Sequence, residues 1–223
     1  MQTTPSPTLD VVADLICPWC AIALRHLMPA LAELAADGLI IRPVWRPFLL
    51  YPATPQEGFP QQAHLRQRFG SLETAARYHE GVTEAGTRVG LAIRYDRITA
   101  TPSSVDAHRL LLLAAPDDPM ALADTIGRAF LEEGRDIADR SLLRRLAVAA
   151  GLEANAVDRM FATDRLLAET RAANAAARRG GILQVPAFCL HGRILSVPDI
   201  EDLAGTLRTA HRALAPAPAS HRT

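Results

Sequence analysis

The stretch DLICPWCAIAL, residues 14–24, places two cysteines on either side of a Pro-Trp pair and ends a short apolar run. That run, residues 9–16, contains β-branched side chains and predicts a strand. Residues 18–36 carry Ala, Leu, Ile and Met at helical spacing and predict a helix. Cys17 and Cys20 are therefore predicted to lie where the first strand meets the first helix.

The composition excludes several classes of protein. The chain has 223 residues, 49% of them hydrophobic, so a full core can be buried. Lys and Arg number 24, as do Asp and Glu, which argues against nucleic acid as the main partner. Residues 1–10 do not resemble a secretory signal, and no apolar run approaches the ~20 residues of a membrane span. Three cysteines do not make a disulfide scaffold, so we expect a cytoplasmic protein.

The middle of the chain is predicted to be helical. Residues 39–49 read as a strand, with Pro43 and Pro47 indicating an edge position. The following block, to residue 179, is rich in Ala, Leu, Arg and Glu, and only residues 91–98 suggest an extended segment. The predicted helices are 71–89, 103–115, 119–133, 139–150, 153–161 and 164–179, with Ser103, Asp118 and Asp139 as caps.

Strand patterns resume after Gly180-Gly181. Strands are predicted over residues 185–190 and 193–197, across a His-Gly turn, and a last helix over 199–214. The layout is βαβ, a helical block, then ββα, which indicates one α/β domain interrupted by a helical one. The predicted divisions are 1–58 and 180–214 for the α/β domain, 59–179 for the insertion and 215–223 for a flexible tail.

Three interpretations of the cysteine pair are open. A structural zinc site needs four ligands, but Cys189 is the only other cysteine and the seven histidines show no paired spacing. Two inert buried cysteines are the second interpretation. A redox pair is the third, and a C-x-x-C beside a βαβ unit favours it.

The helix N-terminus supplies the physical reason for a redox pair. Cys17 at the N-cap would face unpaired backbone N–H groups and the positive end of the helix dipole, which lower the pKa of a thiol. Cys20, one turn along, lies close enough to close a small disulfide ring. Pro18 occupies the first turn, where its missing N–H costs nothing.

Val185-Pro186 is a second signal, because proline is a poor start for a strand unless it is needed there. A cis bond would turn the chain beside the sulfurs and leave a backbone edge free to pair with a substrate strand. The alternative is an ordinary trans proline at the start of a strand.

Five segments together resemble the DsbA-like thioredoxin-fold oxidoreductases, in particular the FrnE-type branch. They are CPWC (17–20), WRPFLLYP (45–52), TPSSVDAHRL (101–110), FLEEGRDIAD (130–139) and VPAF (185–188). The resemblance extends from about residue 9 to residue 214. It implies an α/β thioredoxin fold with a large all-helical insertion domain.

The resemblance also implies roles for residues. Cys17 is the expected nucleophile, Cys20 the resolving cysteine and Pro186 the cis-proline opposite them. The residues expected to bind substrate are Pro18, Trp19, Val185, Ser103 and His108. The expected function is dithiol–disulfide exchange with a protein or small-molecule disulfide. No bound cofactor or metal is expected, and glutathione or a thioredoxin-like protein would recycle the pair.

Other residues carry two interpretations. His108 and Arg109 are either structural, satisfied by local hydrogen bonds and a carboxylate, or part of the lining of an interdomain cleft. Asp14, three residues before Cys17, either relays a proton during exchange or is a polar strand end. Cys189, in an apolar strand, is interpreted as a buried small hydrophobe.

Two other functions stay open. A glutathione-dependent isomerase or transferase, similar to hydroxychromene-carboxylate isomerases and kappa-class transferases, would bind a small aromatic or polyketide-like molecule in a pocket formed by the insertion. Those branches commonly carry serine where this chain has Cys17, so the presence of both cysteines favours disulfide exchange. A binding module would keep the pair without using its chemistry.

Overall fold

The computed structural model describes residues 6–115 and 119–214; the tail predicted over 215–223 lies outside them. The strands are β1 (Thr8–Ala13), β2 (Arg42–Pro47), β3 (Phe59–Pro60), β4 (Ala100–Thr101), β5 (Ala187–Leu190) and β6 (Arg193–Ile194). The helices are α1 (Pro18–Ala36), α2 (Gln61–Phe69), α3 (Leu72–Arg88), α4 (Val105–Ala114), α5 (Pro119–Leu131), α6 (Arg140–Ala149), α7 (Ala154–Ala162), α8 (Leu167–Arg179) and α9 (Leu203–Leu214).

Strands from the two ends of the chain join in one sheet of order β2-β1-β5-β6. β1 is parallel to β2 and antiparallel to β5. A parallel pair needs a crossover connection, and α1 provides it. β2 lies at the edge of the sheet, where Pro43 and Pro47 are tolerated, as predicted. This sheet and the helical block between its halves confirm the expected α/β thioredoxin fold with an insertion.

Both faces of the sheet are covered by helices. On one face, α1 and α9 pack over Leu9, Val11 and Phe188. On the other face, Val12 and Phe48 pack beneath α8. Successive side chains of β1 point to opposite faces, so this central strand serves both layers of core. The junction that follows β1 is therefore anchored from two sides.

The helices α3 to α8 lie within about three residues of the predicted boundaries. Asp139 caps α6 as predicted, since its side chain accepts a hydrogen bond from the backbone N–H of Ser141 at 2.8 Å. The predicted cap at Ser103 is wrong by one residue: Ser104 precedes α4 and makes no side-chain cap bond. The third predicted cap, Asp118, lies outside the described residues.

Two segments of the insertion differ from the prediction. The helix α2 buries none of its residues completely, so its sequence lacks the apolar periodicity that reveals a helix. Residues 91–98 form no strand, although Leu91 and Ile93 are buried in alternation. Their backbone is tied to a helix, because Arg94 N–H donates to Leu131 O at 2.8 Å, and a short 3₁₀ turn follows at Tyr95–Arg97.

The C-terminal half has shorter elements than predicted. β5 begins at Ala187, after Pro186, which has no N–H to contribute to a sheet. The two residues between β5 and β6, His191 and Gly192, both have positive φ, 50° and 73°, as a tight hairpin requires. α9 begins at Leu203, four residues later than predicted from residue 199.

Candidate active site

The two cysteines lie at the start of α1, as the sequence predicts. Cys17 is the N-cap residue, with extended backbone angles (φ −87°, ψ 114°), and Pro18 occupies the first helical position. The backbone N–H of Cys20 donates to Cys17 O at 3.1 Å, which holds the second cysteine one turn along. Both residues are buried, at 6% and 2% exposure, and both sulfurs are free.

The predicted contact between the Cys17 sulfur and the helix N–H groups is not formed. Its side chain makes no cap hydrogen bond, and its thiol instead donates to the carbonyl of Val185 at 3.8 Å. The Val185-Pro186 bond is cis, as expected, and the two segments meet although 168 residues separate Cys17 from Val185. Cys17 therefore lies against the cis-proline loop, as expected.

Cys20 is the thiol that keeps its proton. Burial raises its pKa well above the ordinary value, and a hydrogen bond to Cys17 and the negative charge of Cys17 raise it further. A backbone hydrogen bond at Asp14 lowers the pKa of Cys20, and the charge of Asp14 opposes that smaller effect. A thiol that ionises with difficulty suits the second step of exchange rather than the first attack.

Beneath the cysteines lies a fully buried chain of polar side chains. Trp45 Nε1 donates to His108 Nδ1 at 3.0 Å, and His108 Nε2 lies 3.3 Å from Asp14 Oδ1. Because an indole N–H can only donate, Nδ1 is the acceptor and the proton of His108 sits on Nε2, pointing at Asp14. The other carboxylate oxygen of Asp14 accepts from the backbone N–H of Leu50 at 2.7 Å. The carboxylate is thus held by fixed donors at the end of β1.

The structure separates the residues expected to bind substrate. Pro18, Trp19 and Val185 surround the sulfurs, and Trp19 is 39% exposed. His108 is 0% exposed, which excludes direct contact with a substrate and leaves it a positioning role toward Asp14. Ser103 lines a different cavity, beside Asp106 and Arg109. The geometry therefore supports a structural role for His108 and Arg109 rather than contact with a substrate.

Two openings flank the CPWC turn. One is a cleft of about 90 Å³ between Cys17 and the insertion. The other is a groove of about 420 Å³ along the cis-proline loop, lined by Ile22, Pro186 and Phe188. Trp19 lines the groove, and its Nε1 donates to the hydroxyl of Tyr78, which lines the cleft, at 2.8 Å, so that α3 is joined to the CPWC turn.

Sequence reasoning missed the aromatic lining of the cleft. All three tyrosines of the chain line it, together with two histidines and two phenylalanines. The lining aromatic residues are Tyr51, His64, Phe69, Tyr78, His79, Tyr95 and Phe130. The aromatic residues are spread along the chain rather than clustered in one segment, so no local sequence pattern indicates the cleft.

The described residues show neither a metal site nor a membrane segment. Among residues 6–115 and 119–214, no three His, Cys, Asp or Glu side chains are arranged to hold a metal ion. Within the same ranges, no helix combines the length and apolar character that crossing a bilayer demands.

A sequence model of the DSBA-like thioredoxin domain matches residues 8–208. The chain belongs to this family. A solved "probable DsbA oxidoreductase" from Streptomyces coelicolor is 29% identical, covers 95% of this chain and 93% of its own, and has a TM-score of 0.83. The DSBA-like family and this structure class the protein as a thiol–disulfide oxidoreductase.

More distant solved structures share the fold. The cytosolic disulfide reductase DsbM from Pseudomonas aeruginosa is 22% identical over 92% of this chain and 99% of its own, with a TM-score of 0.63. A 2-hydroxychromene-2-carboxylate isomerase is 16% identical over 94% and 100% of the two chains, also with a TM-score of 0.63. No curated protein sequence matches the chain.

Mild oxidation of this DSBA-like protein is expected to join Cys17 to Cys20 and to leave Cys189 reduced. Burial raises the pKa of Cys189, and the charge of Asp10 raises it further, so its thiolate is scarce near neutral pH. Peptide mass mapping after differential alkylation checks the pairing. A main product that bridges Cys189 to either of the other cysteines would contradict the assignment.

Proposed function

We propose that the protein is a cytoplasmic dithiol–disulfide oxidoreductase in which Cys17 attacks and Cys20 resolves. The observation that carries the proposal is the position of the pair. Two free sulfurs one helical turn apart lie at the N-terminus of α1, with the cis Val185-Pro186 loop against Cys17. The unpaired Cys189 suits a reducing compartment, where few cysteines form structural disulfides.

The reaction has two exchanges. The Cys17 thiolate attacks one sulfur of a substrate disulfide, which forms a mixed disulfide and releases the other substrate sulfur as a thiolate. Cys20 then loses its proton and attacks Cys17 Sγ, which forms the Cys17–Cys20 disulfide and releases the second substrate thiol. The substrate gains two electrons and the pair loses two, so the proposal requires no bound cofactor. Glutathione or a thioredoxin-like protein would then reduce the pair again.

The groove along the cis-proline loop supports a protein substrate. Its apolar lining and open volume of about 420 Å³ suit an extended chain better than a compact small molecule. Trp19, at its edge, is exposed enough to contact that chain. Pro18, Trp19, Val185 and Pro186 are therefore the residues proposed to contact a protein disulfide.

A second candidate function is glutathione-dependent isomerisation of a small aromatic molecule, and the aromatic cleft beside Cys17 is the observation that favours it. The two functions differ in their need for Cys20. An isomerase needs one position to steady the glutathione thiolate, whereas disulfide exchange needs both sulfurs.

The test of the proposed function is insulin reduction in the presence of glutathione, together with equilibration of the pair in glutathione redox buffers. We expect turbidity from reduced insulin, and an oxidised fraction that follows a two-electron transition when measured by mass. A Cys189→Ser variant should behave like the native protein. Folded protein without a reversible couple would support the binding module, and glutathione-dependent turnover that survives Cys20→Ser would support the isomerase.

A further inference from the structure

The cleft beside Cys17 differs from the groove along the cis-proline loop in both size and chemistry. Its volume of about 90 Å³ suits a single flat group, whereas the groove of about 420 Å³ admits a chain. Cys17 and Pro18 line the cleft together with side chains of the insertion. A ligand in this cleft would therefore lie directly beside Cys17, which does not line the groove.

The walls of the cleft are aromatic, and some of their rings contact one another. The rings of His79 and Tyr95 lie parallel, with centroids 3.5 Å apart and planes at 6°. Tyr51 meets His64 edge to face, with centroids 4.4 Å apart. Burial lowers the pKa of both histidines, so their rings are neutral at pH 7. Neutral aromatic walls favour a planar aryl group by stacking.

Arg68 gives this cleft a positive charge without a matching negative one. Its guanidinium lies over the rings of Tyr51 and Phe69, at 5.9 Å and 5.3 Å from their centroids. Among the described residues, no carboxylate lies within 4.0 Å of it, and no acidic side chain lines the cleft. An anionic group on the ligand would give Arg68 an ionic partner.

The Tyr95 hydroxyl is a donor placed inside the cleft. It is buried, and within residues 6–115 and 119–214 it has no hydrogen-bond partner. Burial raises the pKa of Tyr95, so the group stays a protonated donor. A buried donor without a partner is costly in a folded protein, and a polar ligand atom would satisfy it.

We propose that this cleft is a subsite for a small aryl disulfide that carries a carboxylate, held with its sulfur at Cys17. The inference rests on the proposed function and names a second substrate class for the same sulfur pair. The aryl ring would stack between the aromatic walls, the carboxylate would face Arg68, and Tyr95 would donate to an acceptor on the ligand. Cys17 attacks the nearer sulfur and releases one aryl thiolate; Cys20 then closes the protein disulfide, releases the second and gives up its proton.

The experiment compares two aromatic disulfides as oxidants of the reduced protein, in a Cys189→Ala background that removes the third thiol. One probe is 5,5′-dithiobis(2-nitrobenzoate), which carries a carboxylate on each ring; the other is 4,4′-dithiodipyridine, which is aromatic and uncharged. Stopped-flow absorbance follows release of the aryl thiol. We expect the rate with the nitrobenzoate probe to saturate with concentration, which indicates a bound complex before exchange.

Arg68→Gln is the decisive variant and Arg66→Gln its matched control. Both arginines lie on α2 and both changes remove one positive charge, but Arg66 does not line the cleft. We expect Arg68→Gln to lower the rate constant for the nitrobenzoate probe about fivefold to tenfold, as loss of a charged hydrogen bond at a partly exposed site would. Arg66→Gln should stay within about twofold with both probes.

Tyr95→Phe tests whether the Tyr95 hydroxyl serves ligand binding rather than protein stability. We expect it to slow reaction with the nitrobenzoate probe about threefold to tenfold, as loss of one hydrogen bond would, without lowering the melting temperature, because the hydroxyl satisfies no described protein group. The subsite would be overturned if Arg68→Gln and Arg66→Gln changed the rate constant equally and the rate rose linearly with probe concentration. Insulin reduction by the native protein would continue in that case, so the proposed function would stand. Loss of reaction with both probes and with insulin in the native protein would instead overturn the proposed function.

Discussion

Replacing Cys17 with serine is expected to lower insulin reduction by about a hundredfold or more, because an alcohol is not ionised at neutral pH and cannot attack a disulfide. Replacing Cys20 with serine is expected to leave the first exchange intact and to stop the second. The Cys20→Ser protein should therefore accumulate mixed disulfides with its substrates. Non-reducing electrophoresis and intact-mass measurement would show these adducts.

The control for this pair of variants is Cys189→Ser, which changes the third thiol without touching the start of α1. It should reduce insulin at the native rate and form no adducts. If Cys17→Ser formed adducts and Cys20→Ser did not, the roles of the two sulfurs would be reversed. The N-cap position would then no longer identify the attacking cysteine.

The raised pKa of Cys20 adds a pH dependence to the second exchange. Burial is its largest cause and persists in the mixed disulfide, so Cys20 must lose a proton against this penalty before it can attack. A thiol with a raised pKa becomes more reactive as the pH rises toward that pKa. Release of substrate from the mixed disulfide should therefore accelerate from pH 7 to pH 9, by about tenfold per unit at most. Rapid acid quenching followed by mass analysis would measure it.

The position of the redox pair could be predicted because its signals are local. A strand, a Cys-Pro-Trp-Cys turn and an amphipathic helix follow one another, and each element has its own pattern. Val185-Pro186 could be assigned to the same site through the family resemblance, and the sulfur of Cys17 does lie 3.8 Å from Val185 O. The predicted contact between Cys17 and the helix N–H groups failed because it depends on side-chain orientation, which a sequence pattern does not contain.

The aromatic cleft could not be predicted because its walls come from separate elements. Tyr51 follows β2, His64 lies on α2, Tyr78 on α3 and Tyr95 in a 3₁₀ turn. Only the packing of the insertion against the CPWC turn brings these rings together. The sequence also could not show that His108 faces Asp14, since 94 residues separate the two and their contact depends on how α4 crosses the sheet.

Arg109 is the residue whose loss should most disturb the insertion. It is 2% exposed and donates to Asp106 Oδ1 at 2.6 Å and to the carbonyl of Arg165 at 2.9 Å. Its remaining guanidinium donors go to the carbonyls of Met160 and Thr163. The side chain thus ties α4 to the end of α7 and to the segment that follows it, and it neutralises a carboxylate that is itself buried.

Arg109→Met is expected to destabilise the protein by about 3–5 kcal/mol, since removing one partner of a buried ion pair leaves the other charge poorly compensated. The matched control is Arg140→Met, because Arg140 donates to the second oxygen of the same Asp106 at 2.7 Å while its own side chain is 51% exposed. Solvent screens that contact, so the control should cost about 1 kcal/mol. Urea unfolding followed by circular dichroism would measure both values. Should Arg109→Met fail to fold, Arg109→Lys replaces it, because lysine keeps the charge without the planar guanidinium. Its loss of unfolding free energy should lie between the values expected for Arg109→Met and Arg140→Met. Equal losses for Arg109→Met and Arg140→Met would show that the three carbonyls contribute nothing and that Arg109 does not hold the segment between α7 and α8 in place.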